Sequence, residues 1–278
     1  MIGYGSSMFL ATHGILARSG GGAPSLLLDT YPNATVAYSL RQLRTAYTGA
    51  AIRVRRSSDN AEQDINFVSG DLDTASLLTF CGAGNGFITT WYDQSGNANN
   101  ATQATAASQA QIVSSGAVIT DPNTSKISTT WTTDGYTISN VAVTQNMLVS
   151  GVINRTATLT RLILLGHTAT PPRLVGVSNN GDIISQVGTG SVNHGNITTG
   201  AFILSGLRDS SNIVKAWTNT TALTTGTSTG TTGNFTRFGQ QDATSTTGRM
   251  VEMVYWNNDK ESSRADIVTN QNDYWEVY

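Results

Sequence analysis

Residues 81–103, CGAGNGFITTWYDQSGNANNATQ, join an apolar run to a turn of specific composition, and their reading decides the fold. Phe87, Ile88, Trp91 and Tyr92 make a short β-run of branched and aromatic residues, and Asp93-Gln94-Ser95-Gly96-Asn97 supplies turn chemistry. Asp93 and Asn97 are suited to bond nearby backbone, and Gly96 takes positive φ without steric cost. A strand therefore ends here and a tight loop begins.

Similar runs recur outward from this point. Those at 136–143, 147–153, 162–165, 173–177 and 182–187 read as strands separated by Gly, Asn or Pro, and 201–206, 213–217, 236–239 and 250–255 continue the series. So many strands in one chain predict two packed sheets. Only 12% of the 278 residues are charged, and Thr, Ser, Asn and Gly fill the balance, as short strands with polar turns require. The Thr/Gly-rich stretch 220–233 reads as an exposed hairpin or loop. Three short peripheral helices are expected. The first carries Val36, Leu40, Leu43 and Tyr47, with Thr35 as N-cap and Gly49 at its end. The second starts near Asp71 or Asp73, buries Leu77, Leu78 and Phe80, and stops at Gly82. The third is capped by Asp259 or Ser262 and carries Ala265, Ile267, Val268, Asn272 and Trp275.

A net charge of −2 provides no basic field for nucleic acid, and Arg53, Arg55 and Arg56 read as one face of a strand pairing with Asp59, Glu62 or Asp64. Cys81 is the single cysteine, which excludes an intrachain disulfide. No signal peptide or membrane insertion is expected, because Thr12, His13 and Gly14 break the apolar stretch from Met8 to Leu16. Glycine-rich flanks around Met8, Phe9, Leu10, Ile15 and Leu16 predict that residues 1–30 form an attachment arm; a first strand of the same sandwich is the alternative.

The 81–103 segment, with AYSLRQLRTAYTGAAIRVRRSSDNAEQDINF at 37–67 and GRMVEMVYWNNDKESSRADIVTNQNDYW at 248–275, resembles the catalytic domain of the fungal α-L-arabinofuranosidase B family and its relatives in phage virion proteins. The resemblance implies an all-β, concanavalin-like (LamG-like) β-sandwich, or jelly roll, with a few short peripheral helices, spanning 31–278. The family's nucleophile is a Glu in a motif resembling V-D-M-E-N-N. The best match is 174–180, LVGVSNN, which puts Gly176 and Ser178 at the acidic positions. Neither attacks an anomeric carbon as a carboxylate does. The family's second cysteine near Cys81 falls on Gly86, and its adjacent cysteine pair has no counterpart. Residues 238–242, FGQQD, resemble the family's G-G-D loop and make Asp242 the matching acid/base position, although an Asp in such a loop is also an ordinary turn former.

His13, His167 and His194 lie in separate segments without metal-ligand spacing. No cofactor is expected; Asp93, Asn97, Asp121 and Asn123 are the oxygen ligands from which a structural calcium site would be drawn, with no tight acidic loop among them. Among the aromatics, Trp131 and Trp217 have polar Thr neighbours and, with Asp242, are the candidates for a glycan surface.

The expectation from these features is a non-enzymatic phage virion structural protein: a capsid decoration, head-fibre or tail-associated subunit assembled in the host cytoplasm. Its partners would be other virion proteins, copies of itself (trimers in a fibre) and a host-surface glycan. The alternative is an arabinofuranosidase-type glycoside hydrolase with displaced carboxylates, Asp242 pairing with Glu252 or Asp182. A bare carbohydrate-binding module of a secreted enzyme is a third reading, weakened by the lack of an export signal.

Overall fold

A computed structural model of the chain describes residues 25–158, 161–167, 173–178, 180–187, 190–228, 233–241 and 244–278. Two large antiparallel sheets dominate it. In the first, Val36–Ser39, Thr244–Trp256, Met147–Arg155, Gly200–Arg208, Ile213–Thr218 and Thr221–Ala222 lie side by side in that order. In the second the order is Gly190–Asn196, Asp182–Val187, Arg173–Val177, Leu162–Gly166, Asn234–Phe238, Tyr136–Ala142, Ala101–Thr102, Gly86–Trp91, Ile52–Arg56 and Glu62–Ile65. Shorter strands extend both sheets. The all-β sandwich read from the sequence is the observed fold.

Glycines in the first sheet let the second approach. A Cβ at Gly151 would lie 2.5 Å from Leu164, one at Gly248 3.0 Å from Leu162, and one at Gly206 1.7 Å from Val175. The strand Met147–Arg155 is buried at every position. Its Gly151 meets the second sheet, while Ser150 donates at 2.6 Å to Gln271 of the C-terminal helix, so it lies between two layers. That sandwiching explains a near-continuous apolar run where alternation is the rule for a half-exposed strand. The core holds Trp91, Trp131, Tyr136 and Phe238 in mutual ring contact, with centroids 5.4 to 6.5 Å apart.

The helix expected over 36–47 is a strand and an irregular segment. Val36–Ser39 is wholly buried and pairs with Glu252–Tyr255, so tertiary burial on both faces overrides the helical spacing. Gly49 is not among the glycines with positive φ; it is pressed against the Tyr47 ring, 2.7 Å from a would-be Cβ. The other two helices form. Helix Thr74–Cys81 is capped by Asp73, whose carboxylate accepts from the Ser76 amide at 2.9 Å, and ends at Gly82 with φ 57°. Helix Arg264–Trp275 starts after Ser263, later than Asp259 or Ser262, and buries Ile267, Val268, Gln271 and Trp275. A further short helix, Leu27–Thr30, buries Leu27 and Leu28, which places these two residues of the expected arm within the folded domain. Met8, Phe9, Leu10, Ile15 and Leu16 lie outside the described residues.

The described part of the Thr/Gly-rich stretch is the mostly exposed hairpin expected, with two contacts beyond that reading. Thr221–Ala222 and Gly226–Thr227 pair with Ile213–Thr218, Leu223 packs on the core and Ser228 is buried. The arginine face behaves as read: Arg53 pairs with Glu62 at 2.9 Å and Arg56 with Asp59 at 2.7 Å. Arg55 instead donates to Gln109 and Asn60.

Candidate functional site

Two buried carboxylates anchor the segment 37–41, Glu252 from the C-terminal strand and Asp93 from the 93–97 turn. Glu252, in the middle of an apolar strand, accepts from Arg41 Nε at 2.7 Å and Nη2 at 3.0 Å, Ser39 Oγ at 2.9 Å, Gln271 Nε2 at 3.1 Å and Trp275 Nε1 at 2.8 Å. Burial alone would raise its pKa; the Arg41 charge and these donors outweigh it and hold the carboxyl below its ordinary value. Asp93, 3% exposed, accepts from the amides of Ala37, Ser95 and Asn99 at 2.9 to 3.0 Å and from Ser95 Oγ at 2.7 Å. Gln94 beside it caps Leu43 N and donates to the Ser39 and Arg41 carbonyls. The turn at 93–97 is thus the clasp for the segment 37–43, and Gly96 takes φ 96° as its composition predicts.

The strand Leu162–Gly166 is the hub of the region matched to catalytic positions. Val177 pairs with Leu162, and the next residues form a tight turn in which Ser178 N donates to Asp182 O at 2.8 Å. Asp182 is half-buried, its amide donating to Ser178 Oγ at 3.2 Å and its Oδ2 standing 3.4 Å from that hydroxyl. On the other side, Gly239 N donates to Leu164 O and Thr247 N to Arg161 O, so the segments on both sides of 242 run against this strand. Asp242 itself lies outside the described residues. The backbone here is irregular: the register shifts between Arg173 and Gly176 and between Asp182 and Ile184, and Val175 has φ 35°. A β-branched residue at positive φ is a strained outlier.

Of the other residues read from the sequence, Trp131 is fully buried; its indole N–H donates to Thr129 Oγ1 and its ring packs on Trp91, so it offers no face to a sugar. Trp217 is half-buried and covered by the Arg264 guanidinium 4.6 Å above its ring. Its Thr neighbours are ordinary strand residues. Asp121 accepts from the Asn123 amide and from Asn154 Nδ2 at 2.8 Å, and among the described residues no three His, Cys, Asp or Glu side chains are grouped to hold a metal. His194 is buried with Nδ1 against the Thr224 carbonyl at 2.5 Å; burial lowers its pKa, and that carbonyl opposes the shift. No local pattern in the sequence marks the Glu252–Arg41–Trp275 network as a unit. Its signal was a lone acid within VEMVYW, which demands a buried partner.

A family model of the α-L-arabinofuranosidase B catalytic domain matches residues 29–156. Over 66 residues the chain is 46% identical to a probable α-L-arabinofuranosidase B of Aspergillus flavus and to an α-L-arabinofuranosidase B of Aspergillus oryzae, 23% of this chain and 13% of each relative. Among solved structures, an arabinofuranosidase complexed with arabinofuranosyl-α-1,2-xylobiose superposes with TM-score 0.69 at 16% identity. A Glu-to-Gln mutant of a GH54 α-L-arabinofuranosidase soaked with 4-nitrophenyl α-L-arabinofuranoside does so with TM-score 0.70 at 17% identity. Each match covers 88% of this chain and 63% of the other, so the chain spans under two thirds of these relatives. These findings overturn the expectation of a phage virion subunit: the family model, both curated relatives and both structures are arabinofuranosidases, and none supports a capsid, head-fibre or tail role. The chain resembles the catalytic domain of α-L-arabinofuranosidase B in sequence over its N-terminal half and in β-sandwich fold over most of its length.

Proposed function

We propose that the chain is an arabinofuranosidase-type glycoside hydrolase domain whose carboxylate pair is Asp182 and Asp242, displaced from the family's pattern. The observation that carries this reading is the conjunction of the family match over 29–156 with a fold match over 88% of the chain. Between the two partners considered for Asp242, burial favours Asp182. Glu252 is sealed, with 0% side-chain exposure and both oxygens taken by Arg41 and its neighbours, and no sugar reaches it. Asp182 is half-buried at a turn on the hub strand's neighbour, with Ser178 Oγ beside its carboxylate.

In a retaining mechanism the two carboxyl groups stand about 5 to 5.5 Å apart. Asp182 Oδ attacks the anomeric carbon while Asp242 protonates the leaving oxygen, breaking the glycosidic bond and forming a glycosyl ester. Asp242, now ionised, takes a proton from the water that cleaves the ester and regenerates both groups. The test is turnover of 4-nitrophenyl α-L-arabinofuranoside by the wild-type chain, Asp182→Asn and Asp242→Asn. Wild-type turnover lost in both variants supports the reading. No wild-type turnover, or turnover untouched in both, overturns it.

A further inference from the structure

On the surface beside the 93–97 turn lies an open cleft of about 580 Å³, walled by Pro32–Thr35 on one side, Ser95–Asn99 on the other and Asn257 at the end, with Arg44 reaching in. That volume is in the range of small-molecule sites. Its walls are fixed. Asn97 Nδ2 donates to the Ala34 and Thr35 carbonyls, Asn99 Nδ2 to Thr35 O, and Tyr38 Oη to Asn99 O, while Asp93 anchors the turn from below. Both amide nitrogens are engaged, and no hydrogen bond to the Oδ1 of Asn97 or Asn99 is found among the described residues. Among the described residues the Asn257 side chain has no hydrogen bond either; its backbone is bonded to Thr35 Oγ1 and Thr144 Oγ1.

Arg44 adds a charge. Among the described residues its guanidinium makes one hydrogen bond, from Nη1 to Ser95 O at 3.0 Å, and has no carboxylate within ion-pair distance. Gly96 makes room for it: a Cβ there would lie 2.6 Å from Nη1. The Nε–Nη2 edge remains, and a guanidinium edge matches a carboxylate in two parallel bonds. Fixed amide oxygens and a free amide around one guanidinium suit a ligand that carries both hydroxyls and an anionic group.

We propose that this cleft binds a carboxylate-bearing saccharide, its carboxylate on Arg44 and its hydroxyls on Asn97, Asn99 and Asn257. The inference stands apart from the glycosidase reading, since it uses none of the residues assigned to hydrolysis.

The test is calorimetric and NMR titration of the full chain with glucuronate and galacturonate, beside glucose, arabinose and acetate, at low and moderate salt. Saturable uronate binding is expected, at least about ten-fold tighter than neutral sugars or acetate and weakening as salt screens the charge. Arg44→Gln should weaken uronate at least about ten-fold, about 1.4 kcal/mol, and Asn257→Ala a few-fold. Asp182→Asn should bind as wild type, which separates this site from the hydrolytic one. Equal binding of neutral sugars, equal binding of acetate, no saturable binding, or uronate binding unchanged in both cleft variants would each overturn the proposal.

Discussion

The segment 29–156 and the strands from Leu162 to Asn196 occupy the same sandwich but are held by different means. In the first, buried side chains are saturated by backbone groups: Asp93 accepts from the amides of Ala37, Ser95 and Asn99, and Gln94 accepts from Leu43 N and donates to the Ser39 and Arg41 carbonyls. In the second, apolar packing against first-sheet glycines does the holding, and the ladders shift register around Val175 and Asp182. Sequence resemblance follows the first region, because a turn that must satisfy buried amides tolerates few substitutions. The second region tolerates more, since volume and alternation suffice for a strand. The clasp can therefore stay close to the arabinofuranosidase B sequence pattern while the strands from Leu162 onward diverge from it.

The largest expected effect would break this contrast at the chemical end. Asp182→Asn and Asp242→Asn should each lower turnover about 100- to 10,000-fold with little change in thermal unfolding. Unfolding that shifts as much as the rate would mean these residues belong to the scaffold after all.

At the scaffold end, Glu252→Gln leaves Arg41 buried without its counter-charge and should cost about 3–5 kcal/mol in urea unfolding. Asp93→Ala orphans the buried Ala37 amide and loosens the half-buried Ser95 and Asn99 amides, and should cost about 1–3 kcal/mol, the cost of one unsatisfied buried donor. A loss under about 0.5 kcal/mol in either, within the range of ordinary surface changes, would show that the polar clasp is dispensable.

Gly206→Ala sharpens the comparison from the packing side. The new methyl falls 1.7 Å from Val175 Cγ2, and the sheets must separate or Val175 must shift, at about 1–3 kcal/mol. Val175→Ala should relieve much of that loss in the double variant; additive losses would contradict direct contact.

The smallest effect is one of pH. The Glu252 carboxyl is depressed below its ordinary 4.5, so the unfolded chain binds the proton more readily than the folded one. Its contribution is fully present above that value and is lost as pH falls through the folded pKa. Unfolding measured from pH 6 down to pH 3 should therefore show a steeper loss in the wild type than in Glu252→Gln.

How much of this was legible follows from the same contrast. Strand alternation, the Gly96 turn and the Asp73 cap are local signals, and they read correctly because they rest on backbone geometry. The stretch 36–47 misread because Leu40 and Leu43 fall at helical spacing while Val36–Ser39 is committed to pairing with the distant Glu252–Tyr255. Trp131 looked like a surface aromatic because its sequence neighbours are polar; in a strand those neighbours point to the opposite face. The Arg41–Glu252 pair joins residues 211 positions apart, and no local pattern specifies such a partner. Arg44 and the cleft were unreadable for the same reason, since Pro32–Thr35, Ser95–Asn99 and Asn257 converge only in the fold.

The most direct measurement is to incubate the chain with an arabinofuranosyl electrophile that traps a glycosyl-enzyme, then locate the added mass by peptide mapping. The predicted result is one sugar ester on Asp182, absent in Asp182→Asn. A label on any other carboxylate would contradict the assignment of the nucleophile, and no label alongside no turnover would contradict the hydrolase reading itself.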